Sequence, residues 1–398
     1  MSASLSEAFL ARARRAMEDH GIDGWLLFDL EGRNRVAAEI LGLPEGTSRR
    51  HFVLLPREGE PVALSHRIER QSWEGWPHAH REYVGWEEME GELASMLAHC
   101  DWIAMEISER DAVPFVDYVP AGVVGLVESF DVRVVSSADL VARAYATWGE
   151  TGLRHHRRAA ADLARIARQA FDEAADAVRS GSPLSERKLA DRVLDLMGDA
   201  GLTGGGVIVG GGPNTALPHY EPPEEGSRVL SRGEVLLVDL WGRAVGEPDA
   251  VFADQTWMGV LDEELPEGFG EAWDAVAAAR DGAVELLSER FGQDPPVTGA
   301  EVDRRAREVL FERGYGEAVL HRTGHAMDRV NHGFGPNLDS IETRDERPLV
   351  PGIGFSIEPG VYLNGRWGIR SEINIHLGED GPEVSPPEPQ RRPWRLEG

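Results

Sequence analysis

A chain of 398 residues is too long for one typical hydrophobic core and points to two domains, with a hydrophobic content of 41% that is ordinary for a globular protein. Its 69 acidic against 41 basic residues leave a net charge of −28, which repels nucleic acid and anionic membranes and excludes both as partners. No apolar run approaches membrane-spanning length, so a transmembrane anchor is not expected.

The N-terminal segment MSASLSEAFLARARRAMEDHGIDG alternates apolar and charged residues at helical spacing, without the apolar stretch and cleavage signature of a signal peptide. It reads as a surface helix of a cytoplasmic protein. The single cysteine, Cys100, has no internal disulfide partner, in keeping with a reducing compartment. Strand-like runs at 25–28, 51–55 and 102–107 alternate with amphipathic stretches, which predicts a small α/β domain over residues 1–150. The pair Ser136 and Ser137 starts a helical segment. Helical periodicity then covers 154–180 and 185–200, with Gly181 to Pro183 between them, and returns at 271–291 and 299–313. Residues 151–398 form the second predicted domain, ending in the proline-rich, extended tail SPPEPQRRPWRLEG.

Five potential metal ligands lie in order along this second domain: Asp239, Asp254, His325, Glu358 and Glu372, within VLLVDL, VFADQT, HRTGHAMDRVNH, PGIGFSIEPGVY and GIRSEINIHL. Asp239 ends a buried-looking apolar run, and Asp254 lies on a second strand-like run able to pair with the first. Glu358 stands at a strand end before Pro359 and Gly360. Along 369–377, alternation puts Arg370, Glu372, Asn374 and His376 on one face of a single strand. Four carboxylates and an imidazole converging on one point make an uncompensated charge cluster unless cations neutralise it, which argues for two divalent metal ions.

The ordered set, with the phrases IEPG and GIR-x-E around the two glutamates, resembles the pita-bread metallopeptidases, family M24. The N-terminal domain resembles that of the prolidase, aminopeptidase P and creatinase-like branch. The resemblance implies an α+β fold, a curved antiparallel sheet covered by helices, preceded by the smaller α/β domain. It implies that Asp239 binds one ion, that Asp254 and Glu372 bridge the pair, and that His325 and Glu358 bind the other. The bridged ions would supply hydroxide to attack a carbonyl, and Glu358 would handle its proton. His219 and His332 match substrate-side histidines that stabilise the tetrahedral intermediate. Arg370 matches an arginine that orients Glu372 or meets a substrate carboxylate, and Tyr220 and His321 are outer groups. The oxygen-rich donor set suits Mn²⁺, with Co²⁺, Zn²⁺ or Fe²⁺ as alternatives. A homodimer is implied as well.

The expected activity is cleavage of Xaa-Pro dipeptides by a prolidase-like hydrolase. Alternatives are an aminopeptidase P acting on longer peptides, a small-molecule lyase or amidinohydrolase on the same scaffold, and a non-catalytic protein-binding module. Three departures from the pattern stand out. Asp239 and Asp254 are 15 positions apart, which predicts an enlarged loop; Thr256 is expected behind the ligands and Trp257 beside the site; and Asp328 and Arg329 occur where apolar residues are frequent. Lys188 is the only lysine, and with the acidic surplus this composition resembles that of proteins from salt-loving organisms. GC-rich coding is the alternative cause, and it explains the arginine preference better than the surplus of acid.

Overall fold

A computed structural model describes residues 5–42 and 47–396, so the first four residues of the N-terminal segment and the last two of the tail lie outside it. Contacts divide the chain into two compact units, Met1–Thr147 and Trp148–Gly398. Among the described residues no helix is long and apolar enough to cross a membrane.

The first unit runs α1 (Glu7–His20), β1 (Gly24–Asp29), α2 (Arg35–Leu41), β2 (His51–Pro56), β3 (Val62–His66), β4 (Ala79–Tyr83), α3 (Trp86–Leu97), β5 (Trp102–Met105), α4 (Ala121–Glu128), β6 (Arg133–Ser136) and α5 (Ala138–Leu140). Its six strands form one mixed sheet in the order β4-β3-β2-β1-β5-β6. Ser6 caps α1 by accepting from the Phe9 amide, and Gly21 ends it in the left-handed conformation. Phe28, Phe52, Leu64, Met89 and Leu93 share its core.

The second unit begins with α6 (Glu150–Arg179) and α7 (Glu186–Asp199), followed by β7 (Leu202–Gly211), β8 (Val235–Ala244) and β9 (Ala253–Val260). Then come α8 (Phe269–Arg290), α9 (Gly299–Glu312), β10 (Ala326–Met327), β11 (Gly354–Ile357), β12 (Gly360–Leu363), β13 (Trp367–Arg370), β14 (Ile373–Gly378), β15 (Gly381–Ser385) and β16 (Trp394–Arg395). The long α6 buries Ala159, Leu163, Ile166, Ala170 and Ala174, a stripe at helical spacing that packs on β8 and β9. The strands make two four-stranded sheets, β16-β9-β8-β7 and β10-β11-β14-β15, and the hairpin β12-β13. All their pairings are antiparallel except β16 with β9.

Two expectations need correction. The segment read as one strand over 369–377 is two: β13 pairs with β12, whereas β14 pairs with β11 and β15. Trp257 does not stand beside the ligands. Side chains alternate along β9, so Asp254 and Thr256 face one way while Gln255 and Trp257 face the other. There Gln255 donates to the Ala160 carbonyl of α6, and Trp257 stacks on Trp394 at 5.1 Å between ring centroids.

Candidate metal centre

Strand register brings the first two carboxylates together. Across β8 and β9 Asp239 is opposite Thr256, and Trp241 is opposite Asp254, so both aspartates occupy the same face. Glu372 follows β13 and accepts from Thr256 Oγ1 at 2.7 Å, which gives Thr256 the supporting position expected of it. Asn374 ties β14 to this hairpin, since its Oδ1 accepts from the Asp254 amide and its Nδ2 donates to the Asp254 carbonyl.

His325 and Glu358 arrive from the other sheet through a close backbone approach. The Glu358 amide donates to the Thr323 carbonyl at 2.7 Å, the Ser356 amide to the His325 carbonyl at 2.9 Å, and the His325 amide to Ser356 Oγ at 3.0 Å. A Cβ at Gly324 would come within 2.0 Å of the Ser356 carbonyl oxygen, so only glycine allows this approach. The imidazole Nδ1 donates to the Ala326 carbonyl, which leaves the Nε2 lone pair facing Asp254 Oδ2 at 3.6 Å and Glu358 Oε1 at 3.5 Å.

Donor atoms of Asp254, His325 and Glu372 lie within 4.8 Å of one another, a spacing one cation could span. Asp239 joins them through Arg370, whose guanidinium pairs with Asp239 Oδ2 while its Nε donates to Thr256 Oγ1. The same Nε is 3.9 Å from Glu372 and 4.0 Å from Glu358, so the arginine is turned into the carboxylate cluster. These groups line one cavity of about 320 Å³, together with His219, Trp241, His321, Arg322, Asn331 and His332.

The cluster fits divalent ions on three counts. Asp239 Oδ1 and Asp254 Oδ1 are buried and accept no hydrogen bond, which is costly unless a cation meets them. Burial, with repulsion from Asp254 and Glu358, pushes Asp239 up to about 7 despite Arg370, and burial with the neighbouring carboxylates raises Glu372 far above its usual range. Burial opposes charge on His325 too, yet Asp254 and Glu358 raise it above the ordinary imidazole value, so the site demands more positive charge than it contains.

Of the remaining predicted residues, His219 and His332 are exposed and line the cavity, His332 edge-on to His325 with 4.3 Å between ring centroids. His321 also lines it, with Nδ1 donating to the Arg322 carbonyl and Nε2 accepting from Tyr362 at 2.7 Å. Tyr220 is not among the residues that line the cavity and donates to Glu186 Oε2 at 2.6 Å. Sequence reasoning missed Glu186. Fully buried at the start of α7, it also accepts from the Gly211 amide and Asn214, and so fixes both ends of the loop that carries His219. It missed Arg322 and Asn331 as well, although both sit in the flagged segment HRTGHAMDRVNH.

Pita-bread architecture with a buried carboxylate and histidine cluster defines a class of metal-dependent enzymes. The chain belongs to it: the match to metallopeptidase family M24 spans residues 158–379. Over 188 residues, 44% of this chain and 42% of the relative, it is 33% identical to the probable dipeptidase PepE of Mycobacterium tuberculosis. It is 29% identical over 215 residues to the Xaa-Pro dipeptidase of Lactobacillus delbrueckii subsp. lactis, 53% of each chain. The chain thus spans about half the length of the curated relatives it matches. The solved dipeptidase PepE of Mycobacterium ulcerans superposes with a TM-score of 0.71, covering 98% of this chain and 96% of its own at 24% identity, a likeness of fold.

Proposed function

We propose that this chain is a dinuclear-metal hydrolase that cleaves the Xaa-Pro bond of dipeptides. The observation that carries the reading is the convergence of Asp239, Asp254, His325, Glu358 and Glu372 on one cavity of about 320 Å³, with two aspartate oxygens lacking any partner. The name of the Lactobacillus relative supports the substrate class. The donors, mostly carboxylate oxygen with one imidazole, favour Mn²⁺.

When bound, the ions polarise the scissile carbonyl and lower the pKa of a water, so that hydroxide is available near neutral pH. Everything else falls to the protein. Glu358, which accepts from Ser356 Oγ at 3.1 Å, takes the proton of the attacking water and returns it to the departing nitrogen. This return matters for proline, whose tertiary amide has no N–H and whose nitrogen must be protonated to leave. His219 and His332 reach into the cavity and donate to the oxygen on which negative charge develops. Arg370 pairs with Asp239, opposes the upward shift that burial gives it, and limits repulsion among the carboxylates.

A second reading, aminopeptidase P activity on longer peptides, draws on the exposure of His219 and His332, which leaves the cavity open to solvent. Hydrolysis of Xaa-Pro dipeptides, Xaa-Pro-Xaa tripeptides and proline-free dipeptides with Mn²⁺ tests both. Cleavage confined to Xaa-Pro dipeptides is expected. Turnover of tripeptides would move the assignment to the second reading, and preference for proline-free dipeptides would reject proline specificity.

A further inference from the structure

Asn331 lies in the loop after His325, where nothing in the ligand pattern assigns a role. Its Nδ2 donates to Asp254 Oδ2 at 2.8 Å, while its Oδ1 is buried and has no partner. The orientation is chemically required: the flipped amide would set two acceptor oxygens against each other. Amide C=O and C–N bonds are about 1.2 and 1.3 Å long, so Oδ1 lies within about 5 Å of the Asp254 oxygen. Three unpartnered buried oxygens, Asp239 Oδ1, Asp254 Oδ1 and Asn331 Oδ1, thus belong to residues lining one cavity. All three are acceptors only, and leaving each unmet in a buried position is costly.

The loop holds Asn331 rather than letting it wander. Asp328 accepts from the Val330 and Phe334 amides, and the Gly333 amide donates to the Ala326 carbonyl at 2.7 Å. The Phe252 amide, two residues before Asp254, donates to the Asp328 carbonyl at 3.0 Å, so loop and ligand strand are joined directly. Asp328, out of place as a core residue, is the acceptor around which this loop turns.

We propose that Asn331 is a further ligand of the metal centre, its amide oxygen binding one divalent ion while its amide N–H fixes the Asp254 carboxylate. This rests on the two-metal reading above. A neutral oxygen adds coordination without adding negative charge, and it favours Mn²⁺ over ions that prefer nitrogen or sulfur.

Calorimetric titration of the metal-stripped full chain with MnCl₂ tests it, on the wild type, Asn331→Ala and Asn331→Asp, each checked for fold by metal-free thermal unfolding. For Asn331→Ala one site should weaken by about tenfold or more. Asn331→Asp keeps an oxygen in place while it loses the N–H and adds a negative charge that attracts the cation, so it should bind Mn²⁺ at least as tightly as the wild type. Unchanged affinity in Asn331→Ala overturns the proposal, as does an Asn331→Asp variant as weak as Asn331→Ala, which would mean that only the hydrogen bond to Asp254 counts. If Asn331→Ala does not fold, Asn331→Leu, which keeps the volume and removes the oxygen, takes its place: weakening by about tenfold supports a ligand and wild-type-like affinity removes it. A wild-type protein that binds no Mn²⁺ overturns both this proposal and the metal reading, and is distinguishable because it does not depend on residue 331.

Discussion

At the scale of single residues, the groups that titrate outside their usual range fall into two sets. Around the cavity the carboxylates are poised for cations. Away from it, His156 is fully buried on α6, with Nδ1 donating to the Phe252 carbonyl and Nε2 accepting from Ser385 Oγ, both at 2.6 Å. Burial pushes its pKa down from 6.5 to about 4. Below about pH 6.5 the unfolded chain takes up a proton that the folded chain refuses, so stability falls with pH through that interval. Above it the contribution is complete; once pH has passed about 4 the loss reaches about 3 kcal/mol, from 1.36 kcal/mol per pKa unit. Urea unfolding at pH 7 and pH 5 should show this loss developing in the wild type, and His156→Gln, though less stable at pH 7, should show a shallower pH dependence. Equal slopes in the two proteins would mean that His156 titrates normally.

At the scale of elements, what could be read from the sequence was what depends on near neighbours. Helical periodicity located α6 to α9 to within a few residues, and the stretches that carry the five candidate ligands all meet at one cavity. The break between β13 and β14 was not legible because its causes are distant: Arg370 is drawn to Asp239 and Thr256, and Ser371 accepts from Arg280 of α8 at 2.7 Å. Alternation along β9 carried enough information to turn Trp257 away from the site. Asn331 had no such signal, since an asparagine in a loop is ordinary until its partner is known. Glycine at 324 was visible, but not its reason, which is the carbonyl of Ser356 on another strand. Gly324→Ala should therefore destabilise the chain by about 1–3 kcal/mol and weaken Mn²⁺ binding by separating His325 from Glu358. Gly270→Ala on α8 is the control: its Cβ meets only Leu265 at an ordinary 3.5 Å, and it should leave metal affinity unchanged. Equal metal affinities in the two variants would show that the close approach is not needed to assemble the site.

At the scale of the whole molecule, the net charge of −28 sets a balance that no single contact decides. Exposed ion pairs, such as Arg165 with Asp162 at 3.1 Å and Arg168 with Asp172 at 2.7 Å, contribute about 0–1 kcal/mol each, and salt screens them. Salt also screens the mutual repulsion of the surplus carboxylates. The screening length falls from about 10 Å at 0.1 M to about 3 Å at 1 M. A pair in contact keeps part of its attraction at that length, whereas charges spread over the surface lose nearly all their repulsion. Repulsion should therefore be the larger loss, and the melting temperature should rise between 0.1 and 1 M NaCl with Mn²⁺ held constant. Chloride rather than sulfate is the proper salt, because sulfate strengthens burial through its exclusion from the surface. A melting temperature that stays flat or falls would show that ion pairs outweigh the surplus, and would leave coding bias as the cause of the single lysine.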